Sequence, residues 1–185
     1  MKLDLACGKH GRSKYDGFFG VDAKPAIPDA GPYLQLDLNT RKDWPWPDGS
    51  ADEVIVLHFI EHMCRSHGLR FVSRVLRVLK AGAHCTFATP DLRLLARYYL
   101  DRDEAFWGHV NARTGRKQRR GETHADQLNH TLHQAGHLWA YDPESLGYLI
   151  TEACPTGQRH YPMPADSPYA KHPDHEFGIV MEKLG

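Results

Sequence analysis

Residues Leu3 to Gly11 read L-D-L-A-C-G-K-H-G, an apolar run that breaks at once into small residues and glycine. A strand that turns over a bound ligand has this pattern, and Gly8 lets the backbone come close where a Cβ would collide. Three polar groups follow at equivalent places. Asp22 ends G-F-F-G-V-D, Asp37 lies near the end of Y-L-Q-L-D-L, and His58 ends E-V-I-V-L-H. A carboxylate at a strand end can accept two hydrogen bonds from a ribose diol. A second, Asp37 with the Leu38 amide beside it, can take an adenine amino group. Singly, each acid also suits a turn or a helix cap. Placed after successive strands, they describe one adenosine pocket, because ligands of open parallel sheets sit beyond the carboxyl ends of the strands.

Other groups carry weaker signals. H-F-I-E-H puts His58, Glu61 and His62 within about one helical turn, where Glu61 and His62 also suit a helix cap or a mutual pair. H-T-L-H-Q-A-G-H sets His130, His133 and His137 three and four residues apart, a spacing a metal would accept on a helix face, with His124 nearby. Gly136 interrupts that helix and no cysteine joins it, so the stretch reads as surface and no metal site is assigned. Arg113, Arg116, Lys117, Arg119 and Arg120 crowd one segment. Without interleaved aromatics this run reads as a solvated loop, with phosphate, acidic glycan or nucleic acid as the less favoured partners. Trp107 and Trp139 flank it, either as core or as the lining of a pocket.

The elements that must position these groups alternate. Strands are predicted over Leu3–Cys7, Gly17–Asp22, Tyr33–Leu38, Glu53–His58 and His84–Ala88, with a closing pair over Gln158–Pro162 and Phe177–Lys183. A broad apolar face predicts a helix over Leu69–Leu79, stopped by Lys80-Ala81-Gly82, and another begins at Leu92 and runs to Leu100. Asp142 as N-cap and Pro143 at the first position predict a helix to Ala153. A helix between the first two strands has room only over about residues 10–16. The order argues for an α/β fold: a mostly parallel sheet with an antiparallel C-terminal strand and helices on both faces.

At 185 residues the chain is expected to form one domain, with a polar and basic insertion at about 101–135. Zero formal net charge gives no bulk pull toward nucleic acid or an anionic membrane. Cys7, Cys64, Cys85 and Cys154 show no C-x-x-C spacing and read as reduced thiols of a cytoplasmic protein. No apolar run approaches the roughly 20 residues of a membrane span, and no signal peptide precedes the first strand.

Taken in order, several segments resemble the class I S-adenosylmethionine-dependent methyltransferases, in particular the small type that begins at its first strand. L-D-L-A-C-G resembles the family's first glycine loop and G-V-D-A-K-P its ribose-binding turn. D-L-N-T through W-P-D-G-S-A-D-E-V-I-V-L-H-F-I-E-H resembles the third loop and fourth strand. R-V-L-K-A-G-A-H-C-T-F-A-T-P-D-L and G-H-L-W-A-Y-D-P-E-S-L resemble later segments, so the likeness spans nearly the whole chain. The resemblance implies a Rossmann-like fold and S-adenosylmethionine as cofactor. It implies a binding set of Asp4, Leu5, Ala6, Cys7, Gly8, Asp22, Ala23, Asp37, Leu38 and His58. Asp4, Ala6 and Gly8 would lie under the methionine part, Asp22 would hold the ribose, and Asp37 and Leu38 would meet the adenine. His58 would face the sulfonium, and His137, placed over the pocket, would orient the acceptor or act as base, so these two are the candidate catalytic residues.

The pattern departs where the family has glycine at the positions of Ala6 and His10, and where Lys80-Ala81-Gly82-Ala83 replaces a proline-glycine-glycine turn. Ala6 is a mild change at negative φ and a costly one at positive φ. Two rival readings therefore stand beside the enzyme: a binding module that keeps the fold with a weakened loop, and an NAD-binding oxidoreductase. The second rests on Ala6-x-Gly8-x-x-Gly11, one substitution from the dinucleotide fingerprint. The methyl acceptor, small or macromolecular, is not legible. With no helix before the first strand, cover for the cofactor is expected from the 101–135 segment or from a second subunit in a homodimer.

Overall fold

The computed structural model describes residues 1–8, 13–25, 31–40, 42–114, 117, 121–134, 136–170 and 175–185. Seven strands form one sheet: β1 (Lys2–Leu5), β2 (Phe18–Asp22), β3 (Tyr33–Gln35), β4 (Ala51–Leu57), β5 (Leu79–Pro90), β6 (Gln158–Pro162) and β7 (Glu176–Lys183). The order across the sheet is β3-β2-β1-β4-β5-β7-β6. β1 to β5 are mutually parallel, and β7 runs antiparallel to both β5 and β6. The helices are α1 (Arg65–Val78), α2 (Leu92–Leu100), α3 (Glu104–Thr114), α4 (His124–Asn129) and α5 (Pro143–Ala153). None of the described helices is long and apolar enough to cross a membrane.

The chain winds outward from β1 to β3 and then returns to β4 on the other side of β1. That reversal opens a crevice beyond the carboxyl ends of β1 and β4. β-branched residues hold the centre. Val54 and Val56 enter the main core with Leu3, Leu5, Phe71, Val75 and Ile150. Ile55 and Leu57 point to the other face and pack with Phe18 and Ala88, against which Tyr15 and Tyr169 lie. On the first face α1 buries Phe71, Val72, Val75, Leu76 and Val78 beside Leu146, Leu149 and Ile150 of α5. Each such side chain contributes about 1.5–3 kcal/mol by leaving water. Helix α5 starts as its sequence requires: Asp142 accepts from the Ser145 amide at 2.8 Å, Ser145 Oγ accepts from the Asp142 amide at 2.9 Å, and Pro143 opens the first turn.

Several boundaries differ from the sequence reading. Helix α1 begins at Arg65 rather than Leu69, its first turn being polar except for the buried Gly68. It ends at Val78, but the expected breaker Lys80-Ala81-Gly82 continues as strand. Leu79 pairs with Ala51 and His84 with Glu53, so Lys80, Ala81, Gly82 and Ala83 stand opposite Asp52 alone, and Gly82 at φ +76° helps take up the excess. Strand β3 stops at Gln35, opposite the last residue of β2, Asp22. Residues 13–17 form bends and turns instead of a helix, and the rest of the helix expected over about 10–16 lies outside the described residues. The insertion carries α3 and α4. Phe106, Trp107 and Val110 of α3 join Leu95 of α2 in a cluster separate from the main core, which makes Trp107 a core residue.

Gly178 of β7 leaves no room for a side chain, because a Cβ there would meet Met163 Cβ at 2.7 Å and its thioether sulfur at 2.7 Å. Gly178→Ala is expected to destabilise the protein by about 1–3 kcal/mol. A urea midpoint equal to that of the unsubstituted protein would show that Met163 moves aside freely.

Candidate functional site

Two residues with side chains adopt left-handed backbone at the ends of the central strands: Ala6 at φ +64° after β1 and His58 at φ +56° after β4. Such strain costs about 1–2 kcal/mol and persists only where surrounding structure enforces it. Here the amides of Ala6 and Cys7 both donate to the Val21 carbonyl, at 2.7 and 3.1 Å, and the His58 amide donates to the Ala88 carbonyl at 2.8 Å. Both residues thus mark the rim of the crevice. Ala6→Gly is expected to raise stability by about 1 kcal/mol by removing the Cβ from a positive-φ position. An unchanged or lower urea midpoint would show that the loop carries no such strain.

The loop after β1 is tied to the loop after β2 by one carboxylate. Asp22 accepts from the Gly8 amide at 3.0 Å through one oxygen and from the Lys24 amide at 3.0 Å through the other. Gly8 has φ +88° with open space where a Cβ would stand, so here the glycine is required by its backbone angle, not by a close neighbour. Lys9, His10 and Gly11 lie outside the described residues. Asp4 and Leu5 are buried in β1. Cys7 is half-buried, and burial, with Asp4 and Asp22 nearby, pushes its thiol up to about 12, so it stays neutral and un-nucleophilic. Ala23 is exposed, and its carbonyl accepts from Gln35 at 3.1 Å. Asp37 lies two residues beyond β3, exposed, its carboxylate accepting from the Asn39 amide at 2.9 Å. Leu38 is buried in the core.

His58 lies between two buried carboxylates, with Nε2 2.7 Å from Glu176 Oε2 and Nδ1 3.5 Å from Glu61 Oε1. Burial opposes its charge, but the hydrogen bond to Glu176 and the nearby Glu61 carboxylate outweigh that and raise its pKa to about 9. With that shift the ring is an imidazolium at neutral pH, a positive charge at the rim of the crevice held by two carboxylates. His137 is the opposite case: burial first, then the charges of His62 and His58, lowers its pKa despite nearby Glu61, and keeps the ring neutral at pH 7. His62 and His137 meet edge to face, with ring centres 4.9 Å apart.

Sequence reasoning undervalued Glu61 and missed Glu176. H-F-I-E-H contained the first, but nothing local marks Glu176, which reaches His58 only because β7 inserts beside β5. The histidines expected as a group separate: His124 pairs with Glu104 at 2.8 Å, and His137 meets Glu61 and His62 rather than His130 and His133. Of the basic run, only the exposed Lys117 has a described side chain. Trp139 is exposed. A cavity of about 610 Å³ is lined by Arg93, His160, Met163, Glu176, Phe177 and Ile179. Glu176, the partner of His58, lines it, and the Ala6–Gly8 loop does not.

No protein-family model and no curated protein matches this sequence. Solved structures do match in fold. A SAM-dependent methyltransferase from Aquifex aeolicus is 12% identical at a TM-score of 0.52, with 99% of this chain and 81% of that one covered. The N-methyltransferase NodS from Bradyrhizobium japonicum, solved with S-adenosyl-L-homocysteine, is 11% identical at 0.53, with 100% and 78% covered. This chain has the methyltransferase fold. A Haloferax volcanii protein solved with the Trm112 methyltransferase activator shares that fold at a TM-score of 0.56 and 12% identity, with 100% and 82% covered. The methyltransferase fold explains why Ala6, Gly8, Asp22 and His58 gather at one end of the sheet: each lies at or just past the carboxyl end of a neighbouring strand.

Proposed function

We propose that this chain binds S-adenosylmethionine across the crevice beyond β1, β2 and β4 and transfers its methyl group to an acceptor. The observation that carries the reading is Asp22: a carboxylate at the end of β2, already bonded to Gly8 of the loop after β1. Its remaining lone pairs suit a ribose diol. In this reading Asp4, Leu5, Ala6, Cys7 and Gly8 form the floor under the methionine part, and Ala23 flanks the ribose. Asp37 and Leu38 sit on the adenine side. His58 lines the floor near the sulfonium as a charge held by its carboxylates. His137, neutral and at the rim, orients the acceptor or takes its proton. The sulfonium is already activated, so alignment supplies most of the catalysis. The cavity beside Glu176 is the proposed acceptor side, and the Haloferax complex makes a protein activator a candidate partner.

One observation favours the second reading, a binding module: Ala6 holds the left-handed angle that glycine adopts without cost. Transfer of labelled methyl from S-adenosylmethionine to a panel of small hydroxyl, amine and thiol acceptors and to cell extract separates the two. The enzyme labels at least one acceptor, and Asp22→Ala abolishes the label. A well-folded sample that binds no donor and labels no acceptor in any pool supports the module.

A further inference from the structure

The His62–Glu61–His137 cluster holds a buried carboxylate oxygen that accepts no hydrogen bond among the described residues. Glu61 is 1% exposed, and one of its carboxylate oxygens accepts from Thr89 Oγ1 at 3.0 Å. The other, Oε1, has no hydrogen-bond partner among the described residues, and its ionic contact with His58 is long at 3.5 Å. Leaving such an atom unpaired is costly, and more so for a charged group. An ion missing from the structure is one accepted reason for such an orphan.

One ligand atom from each of Glu61, His62 and His137 lies within 4.8 Å of the others. Bonds of about 2.0–2.1 Å to a divalent ion need ligand atoms roughly 3–3.5 Å apart, so side-chain rotations of about an ångström close the set. The backbone has already brought the partners together: the amides of Leu138 and Trp139 donate to the Glu61 carbonyl at 2.8 and 3.1 Å. His62 is also oriented. Its Nδ1 lies 3.1 Å from the Gly136 carbonyl, which can only accept, so Nδ1 carries the proton and Nε2 keeps its lone pair. Metal-bound histidines are held this way by a backbone carbonyl on the second nitrogen.

We propose that Glu61, His62 and His137 form a site for one divalent transition-metal ion. Two imidazoles and one carboxylate suit zinc, cobalt, iron or manganese better than magnesium or calcium. A three-ligand site keeps positions open for water or a substrate oxygen. The inference does not depend on the methyl-donor reading, and its test uses no donor.

The test titrates chelator-stripped full-length protein with Co²⁺ alone, following visible absorption, with equilibrium dialysis for stoichiometry. One ion per chain is expected, with ligand-field bands. Affinity is expected to fall by about 10–100-fold or more in His62→Ala, His137→Ala and Glu61→Gln, and to stay unchanged in His133→Ala. Glu61→Gln alters a buried group, so the two histidine variants carry the test if it fails to fold by circular dichroism. No cobalt binding by the unsubstituted protein overturns the proposal, as does equal binding by His137→Ala.

Discussion

Replacing Asp22 by alanine is expected to weaken binding of S-adenosylmethionine and its demethylated product by about 30-fold or more, about 2 kcal/mol. Two losses combine. The ribose diol loses its charged acceptor, and Gly8 and Lys24 lose the carboxylate to which their amides donate. The loop after β1 then lacks its tie to the loop after β2. Asp22→Asn keeps one accepting oxygen, so it retains one of the two amide bonds while the charge and the other bond are lost. An intermediate affinity is expected for it. Asp22 is partly exposed at a strand end, so the urea midpoint of either variant should move little compared with the change in affinity. Equal affinity in all three proteins would place the ligand elsewhere.

The second large effect is on stability. Glu176→Gln is expected to cost about 2–3 kcal/mol at pH 7 in the metal-free protein, because it leaves the His58 imidazolium with a neutral partner in a buried place. The sign follows from linkage. The folded-state pKa of His58 is raised to about 9 from an ordinary value near 6.5. The stability it contributes is therefore fully present below about 6.5 and lost as the pH rises through about 9. The cost of Glu176→Gln should shrink between about pH 7 and about pH 10 in urea titrations. A cost independent of pH would assign the effect to packing instead of charge.

The sequence was informative where local chemistry decides. β1, β2, β4, α2 and α5 lie within two residues of their predicted ends, because β-branched runs and the Asp142-Pro143 start are local signals. It failed where a neighbour decides. Strand β3 ends early because β2 ends at Asp22. Strand β5 begins early because Leu79 finds Ala51 across a bulge. The site divides in the same way. Asp22 and Gly8 were readable from their place after predicted strands. The positive φ of Ala6, which decides whether that substitution is costly, is a property of the folded loop. Glu176 and the meeting of His137 with Glu61 depend on how distant segments return to β4 and β5. Residue order alone carries no signal for that.

The most direct test of the central claim is calorimetric titration of the full-length protein with S-adenosyl-L-homocysteine, with NAD as control. The account predicts saturable binding at one site per chain and none with NAD. A well-folded sample that binds neither, or that binds NAD instead, would contradict it.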